Sequence, residues 1–298
     1  MGNVKQNLRR ALKARLMKYG KPTQIIREST TGLIDYNRSL EDAATRAWNL
    51  VTGMYFKVGG LPWGPTGLEA ATCFVGISFF RPTGEPSHIR ASVAQAFNEH
   101  GDGLVLRGQK FRWNEEFGKS PHLPEQLAKQ LVDEVLNRYK LECKQLPRRV
   151  VIHKSSRFEP EERDGFKKAL SIVSEYDLVT VGTTGNFRLF RLGDYPPMCG
   201  TVLNIGDNHL LYTTGYLEEL GKYPHGHVPT PLRIVDHFGD TAKQQLLREL
   251  LILTKMNWNT ANVDGAFPIT LQFSRLVGDI LREIPASELP NPKYIYYM

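Results

Sequence analysis

An α/β fold with a mixed central sheet is what this sequence predicts, on three observations. Runs of β-branched and aromatic residues alternate along the chain with amphipathic stretches at helical spacing. One run, Arg149-Val150-Val151-Ile152-His153, reads as a buried strand. The chain has 298 residues, 41% of them hydrophobic, enough for one large or two modest cores.

The elements follow in order. Residues 4–18 read as a helix, with Val4, Leu8, Ala11, Leu12 and Leu16 on one face and Lys5, Arg9 and Lys13 on another. Gly20-Lys21-Pro22 ends it, and Thr23-Gln24-Ile25-Ile26 reads as a short strand. A helix over 40–58, weakened at Gly53, leads to a turn at Val58-Gly59-Gly60-Leu61-Pro62-Trp63. Strands are expected at 72–81, 89–97 and 103–111. A helix at 124–141 carries Leu127, Leu131, Val135 and Tyr139 in one stripe. The buried strand and a helix at 160–173 come next. Strands near 177–183, 187–191, 200–205 and 209–214 precede a Gly/Pro/His-rich loop over 216–231 and a strand at 232–236. Two more helices cover 240–255, with Asp240 placed as N-cap, and 268–284, which Pro285 ends.

Lys+Arg number 38 against Asp+Glu 31, a net charge of +7, and a basic balance favours a polyanion such as nucleic acid or an acidic membrane surface. No apolar run reaches the ~18 residues of a membrane helix. The start MGNVKQNLRR has no apolar signal core, and Gln6 stands where a myristoylation signal wants Ser or Thr. Cys73, Cys143 and Cys199 form no CxxC pair, which argues against a zinc ribbon or a disulfide framework. A cytoplasmic location is the expectation.

Four segments, in this order, carry a resemblance. They are Leu12-Lys13-Ala14 with Pro22-Thr23-Gln24; Lys57-Val58-Gly59-Gly60-Leu61-Pro62-Trp63; Val150-Val151-Ile152-His153-Lys154-Ser155; and Leu253-Thr254-Lys255-Met256-Asn257-Trp258-Asn259, followed by Pro268-Ile269-Thr270. Together they resemble the C-terminal part of Argonaute proteins, specifically short prokaryotic Argonaute or Piwi-like chains. The resemblance implies the end of a MID domain over roughly 1–45 and an RNase H-like PIWI domain over 46–298. A MID domain has a further N-terminal half, which on this reading lies on another polypeptide or is missing by truncation.

In that family a guide strand's 5′ phosphate is held by a basic or aromatic residue, a lysine, a glutamine and a second lysine. The matching positions are Arg9, Lys13, Gln24 and Lys57. Arg9 and Lys13 sit one helical turn apart, which lets a guanidinium fork and a point charge converge on one phosphate. The resemblance further implies a Mg²⁺ bridging that phosphate to the C-terminal carboxylate of Met298; a docked apolar tail over Tyr294–Met298 without metal is the other reading.

Family slicing uses clustered carboxylates holding two metal ions. Here Ser78 stands in the first position, Ser155 in the second and Arg275 in the last. Serine is a poor Mg²⁺ ligand and arginine is a cation, so no catalytic metal is expected and the chain reads as a pseudo-nuclease. Glu115 and Glu125 read as a loop and a helix-start acid, and one carboxylate would not rebuild the site. His225 and His227 read as loop histidines, His153 as either a substrate contact or a hydrogen-bonded core residue, and Trp258 as packing. Asp236, His237 and Asp240 cluster without a clear ligand role. Lys154, Arg157, Lys255 and Arg275 are expected to touch the backbone of a guide–target duplex.

The implied function is guide binding without cutting. Partners would be a guide RNA or DNA, a complementary target and a separate effector or APAZ-type subunit in host defence. The rivals are an active guide-directed, metal-dependent nuclease and a structural subunit that has lost guide binding.

Overall fold

The computed structural model describes residues 7–31, 40–85, 87–96, 103–113, 118, 120–218, 223, 227–261 and 265–298. Val4, Lys5, Glu115 and His225 lie outside them. The described strands are β1 (Thr72–Phe80), β2 (His88–Ala96), β3 (Leu104–Arg112), β4 (Arg149–Lys154), β5 (Glu175–Thr183), β6 (Val202–Ile205), β7 (Asn208–Leu211) and β8 (Leu232–Phe238). They form one sheet in the order β3-β2-β1-β4-β5-β8-β7-β6. β1, β4 and β5 are parallel at its centre, and the strands on either side are antiparallel.

The period-2 pleat splits each central strand between two cores. Cys73, Val75 and Ile77 face helices α4 (Glu125–Cys143) and α5 (Pro160–Leu170). Phe74 and Phe80 face α6 (Lys243–Thr254) and α7 (Ile269–Leu281). Two glycines permit the closest approaches. A Cβ on Gly165 would lie 2.2 Å from the Glu125 carbonyl oxygen, and one on Gly76 only 2.1 Å from that of Thr270. The first lets α5 lie tight against α4; the second seats the start of α7 directly on β1.

Before the sheet come α1 (Leu8–Leu16) with a 3₁₀ turn at Met17–Tyr19, a four-residue α2 (Glu28–Thr31) and α3 (Ala43–Lys57). Asn7 caps α1, its Oδ1 accepting from the Arg9 and Arg10 amides. Asp42 caps α3, which runs through Gly53 unbroken. That helix spans residues 45 and 46.

Three local expectations are corrected. Thr23–Ile26 is extended but no neighbouring strand pairs with it among the described residues; it lines a cavity instead. Residues 187–191 alternate like a strand, yet Leu189 N–H bonds the Tyr212 hydroxyl (3.0 Å) and not a strand backbone. The N-cap of α6 is Ala242 and not Asp240, because the preceding Thr241 is committed by hydroxyl (2.7 Å) and amide (3.4 Å) to Asp177.

That aspartate belongs to a buried ionic network. Arg149 donates from Nε to Asp177 (2.8 Å) and through Nη1 and Nη2 to both oxygens of Glu249 (2.6 and 3.1 Å). Only 1% of the Arg149 and Asp177 side chains and 4% of Glu249 is exposed. Burial alone would raise the Asp177 pKa, but hydrogen bonds from His237, Thr241 and Arg149 hold it down at about 2.

Candidate nucleic-acid interface

Two regions gather the chemistry, and the sheet positions both. The first is a cavity of about 800 Å³ whose lining includes Arg9, Lys13, Gln24, Lys57, Tyr297 and Met298. α1 supplies Arg9 and Lys13, the extended segment after it Gln24, and the last residue of α3 Lys57. The structure therefore brings together all four residues expected to hold a phosphate. Lys13 is buried and donates to the Thr23 carbonyl (3.2 Å) and to the main-chain oxygen of Met298. Lys57 donates to Gln24 Oε1.

The electrostatics leave this cavity short of negative charge. Burial, then the neighbouring Lys57 and Arg9 charges, push Lys13 down to about 8. Burial and Arg9 push Lys57 down to about 8 as well. Asp279 on the wall is already engaged by Arg10 (2.5 Å) and Arg282 (2.6 Å). Sequence reasoning missed Arg10 and Asp279. They are 269 positions apart, and only the packing of α1 on α7 joins them.

The tail closes the cavity from behind. Val105 N–H bonds Pro292 O (2.7 Å), Tyr294 N–H bonds Gly103 O (2.9 Å), and the Tyr294 ring stacks on Phe273 at 4.0 Å. Tyr296 donates its hydroxyl to Gly20 O (3.1 Å). Phe56 and Trp63 pack on Trp258, so that tryptophan is structural as expected.

The second region is the end of the sheet where β1, β4 and β5 finish. Ile77 lies beside Lys154 across the parallel β1–β4 pair, so Ser78 and Ser155 occupy adjacent strand ends. Ser155 and Arg157 are exposed, and Arg157 lies 3.6 Å from Asp236. Arg275 is exposed on α7 with its guanidinium 5.0 Å from the Phe267 ring centre. His153 is buried, its Nδ1 2.9 Å from the Thr270 hydroxyl; burial foremost, then the Arg149 charge, pushes its pKa down to about 3, and the core reading holds. Glu125 pairs with Lys168 at the start of α4.

Two expected duplex contacts are corrected here. Lys154 is fully buried on the opposite face and ion-paired with Glu162, whose other oxygen accepts from the Leu123 amide at 2.9 Å. Period-2 geometry puts it there: His153 faces α7, so Lys154 must face α5. Lys255 turns inward, donating to Thr213 O (3.2 Å) and Cys199 Sγ (3.1 Å), where the end of α6 meets the loop after β7.

No family model matches the chain. The Argonaute protein of Thermus thermophilus is 26% identical over 258 residues, covering 83% of this chain and 33% of its own length. Clostridium butyricum Argonaute, solved with a guide DNA and a 19-mer target DNA, superposes with a TM-score of 0.70 at 19% identity, over 94% of this chain and 36% of that one. Drosophila Piwi superposes with a TM-score of 0.62 at 14% identity, over 84% of this chain and 35% of that one. The chain thus spans about a third of the length of the relatives it matches. The chain is thus similar in sequence to an Argonaute protein, and its mixed α/β sheet has the RNase H-like fold of the PIWI region in the Argonaute and Piwi structures it matches.

Proposed function

We propose that this protein binds a guide strand by its 5′ phosphate, lets the guide pair with a complementary target, and does not cut. The observation that carries the reading is the convergence of Arg9, Lys13 and Lys57 on one cavity, with both lysines pushed down in pKa by burial and by neighbouring cations, Lys57 and Arg9 for Lys13 and Arg9 for Lys57. A phosphate entering there meets charge-assisted donors and relieves their repulsion. The terminal carboxylate of Met298, on the same wall, would be the group of this chain to hold a Mg²⁺, which would offset negative charge as a phosphate binds. Non-cleavage rests on Ser78, Ser155 and Arg275 standing where two-metal chemistry needs carboxylates. Sequence is read by base pairing, so the protein needs backbone contacts alone; Arg157 and Arg275 remain placed for them. A cytoplasmic defence sensor, with the end of a MID domain over roughly 1–45 and a separate effector subunit, completes the proposal.

The test is fluorescence anisotropy of a short single strand with a 5′ phosphate against the same strand with a 5′ hydroxyl. The phosphorylated strand should bind more tightly, and Lys13→Ala should weaken it about 10–100-fold while leaving the hydroxyl strand nearly unchanged. Equal affinities would overturn the anchor. Target cleavage by the pure protein, abolished by EDTA, would overturn the inactive reading.

The same preference should depend on pH. Both lysines have folded-state pKa values depressed to about 8, so in the free protein their charge is complete only below that value. A bound phosphate favours the charged form. Binding above pH 8 must therefore take up protons, and affinity should fall from pH 7 to pH 9. A flat profile over that range would remove the lysines from the contact.

A further inference from the structure

The segment joining β5 to β6, residues 184–201, leaves the sheet at the same end as Ser78 and Ser155, because β1, β4 and β5 are parallel. It is held from below and bare above. Thr184 N–H reaches Pro231 O, Leu189 N–H the Tyr212 hydroxyl and Gly200 N–H the Tyr212 carbonyl. Yet the Phe190 side chain is 74% exposed, and Arg188 and Arg191 on either side of it are exposed too. Arg188 donates only to carbonyls of its own loop, Gly185 and Phe187, and Arg191 lies 5.3 Å over the Tyr216 ring. That ring stacks on Tyr195 at 4.3 Å with planes 17° apart. Among the described residues neither arginine has a carboxylate partner.

A solvent-facing aromatic on a tethered backbone, flanked by two arginines without carboxylate partners, is suited to a strand with flat bases and charged phosphates. A protein partner would also favour aromatic and arginine residues. The location favours nucleic acid, since the loop shares its end of the sheet with exposed Arg157. We propose that Phe190 is a stacking platform for an unpaired base of the guide or target strand, with Arg188 and Arg191 on the flanking phosphates. This rests on the nucleic-acid reading above and adds a site that shares no residue with the lining of the phosphate cavity.

The experiment uses a single strand carrying 5-iodouracil at successive positions, cross-linked by light to the protein with and without a bound guide, followed by peptide mapping. A cross-link to Phe190 is expected. Phe190→Ala should lose it and weaken strand binding about ten-fold, and Phe190→Trp should restore both. Cross-links elsewhere, with Phe190→Ala binding unchanged, would overturn the site. So would a Phe190→Ala effect on oligomeric state alone, which would mark a protein-docking loop. The arm without guide keeps the test valid if the 5′-phosphate preference itself fails, and Phe190→Ala should leave that preference intact.

Discussion

Arg149→Met should be among the most destabilising substitutions in this protein, at about 3–5 kcal/mol. Among the described residues the guanidinium is the cation that bridges Asp177 and Glu249, and all three groups are almost wholly buried. Without it Glu249 keeps one hydrogen bond from Gln245 (3.2 Å), while Asp177 keeps His237 and Thr241. The cost is that of desolvated, uncompensated carboxylate and not merely of lost contacts. The double change Arg149→Met with Glu249→Leu should therefore recover part of the loss, since it removes the stranded acid. Acid dependence should move as well. The Asp177 carboxyl is held at about 2, below its usual value, so its contribution is complete above the unfolded pKa and disappears as pH falls toward 2. In Arg149→Met that decline should begin at higher pH. Urea denaturation at pH 7 and pH 4 checks both; a loss under about 1 kcal/mol, with no rescue by the double change, would mean that the network is not coupled as the geometry indicates.

Gly76→Ala should cost about 3 kcal/mol, at the upper end for overpacking, because the obstruction is backbone and cannot rotate away. The new methyl would meet Thr270 O at 2.1 Å and lever the start of α7 off β1. α7 also carries Leu276, Asp279 and Ile280 in the cavity wall and Phe273 against Tyr294. Guide affinity should fall with stability, although Gly76 does not itself line the cavity. Thermal melting and anisotropy on the same preparation check the coupling. An unchanged melting temperature would show that α7 can shift freely; a lowered one with unchanged guide binding would separate the helix from the cavity.

Much of the fold is legible from local pattern. The runs at 72–81 and 149–153 and the stripe Leu131, Val135, Tyr139 match β1, β4 and α4 because each element's burial is encoded by its own periodicity. The cavity residues were found through motif order, and local chemistry supports them: two cations one turn apart on α1. What escaped was set by tertiary partners. Lys154 looks like a surface lysine until α5 brings Glu162 beneath it. Lys255 looks equally free until the loop after β7 offers Thr213 O. Phe187–Arg191 reads as a strand because alternation is all that sequence supplies, whereas a strand also needs a neighbour with open hydrogen bonds.

The tail has a consequence for how the cavity is completed. Lys13 is anchored by Met298 across 285 positions, and Gly103 and Val105 are closed off by Tyr294 and Pro292. Helix α1 can form by itself because its hydrogen bonds are local, but the cavity has no back wall until Tyr294, Tyr297 and Met298 pack against it, so the site is completed only by contacts between distant segments. Any change that loosens that segment from the sheet would therefore open the wall while leaving the cations Arg9, Lys13 and Lys57 in place on α1 and α3.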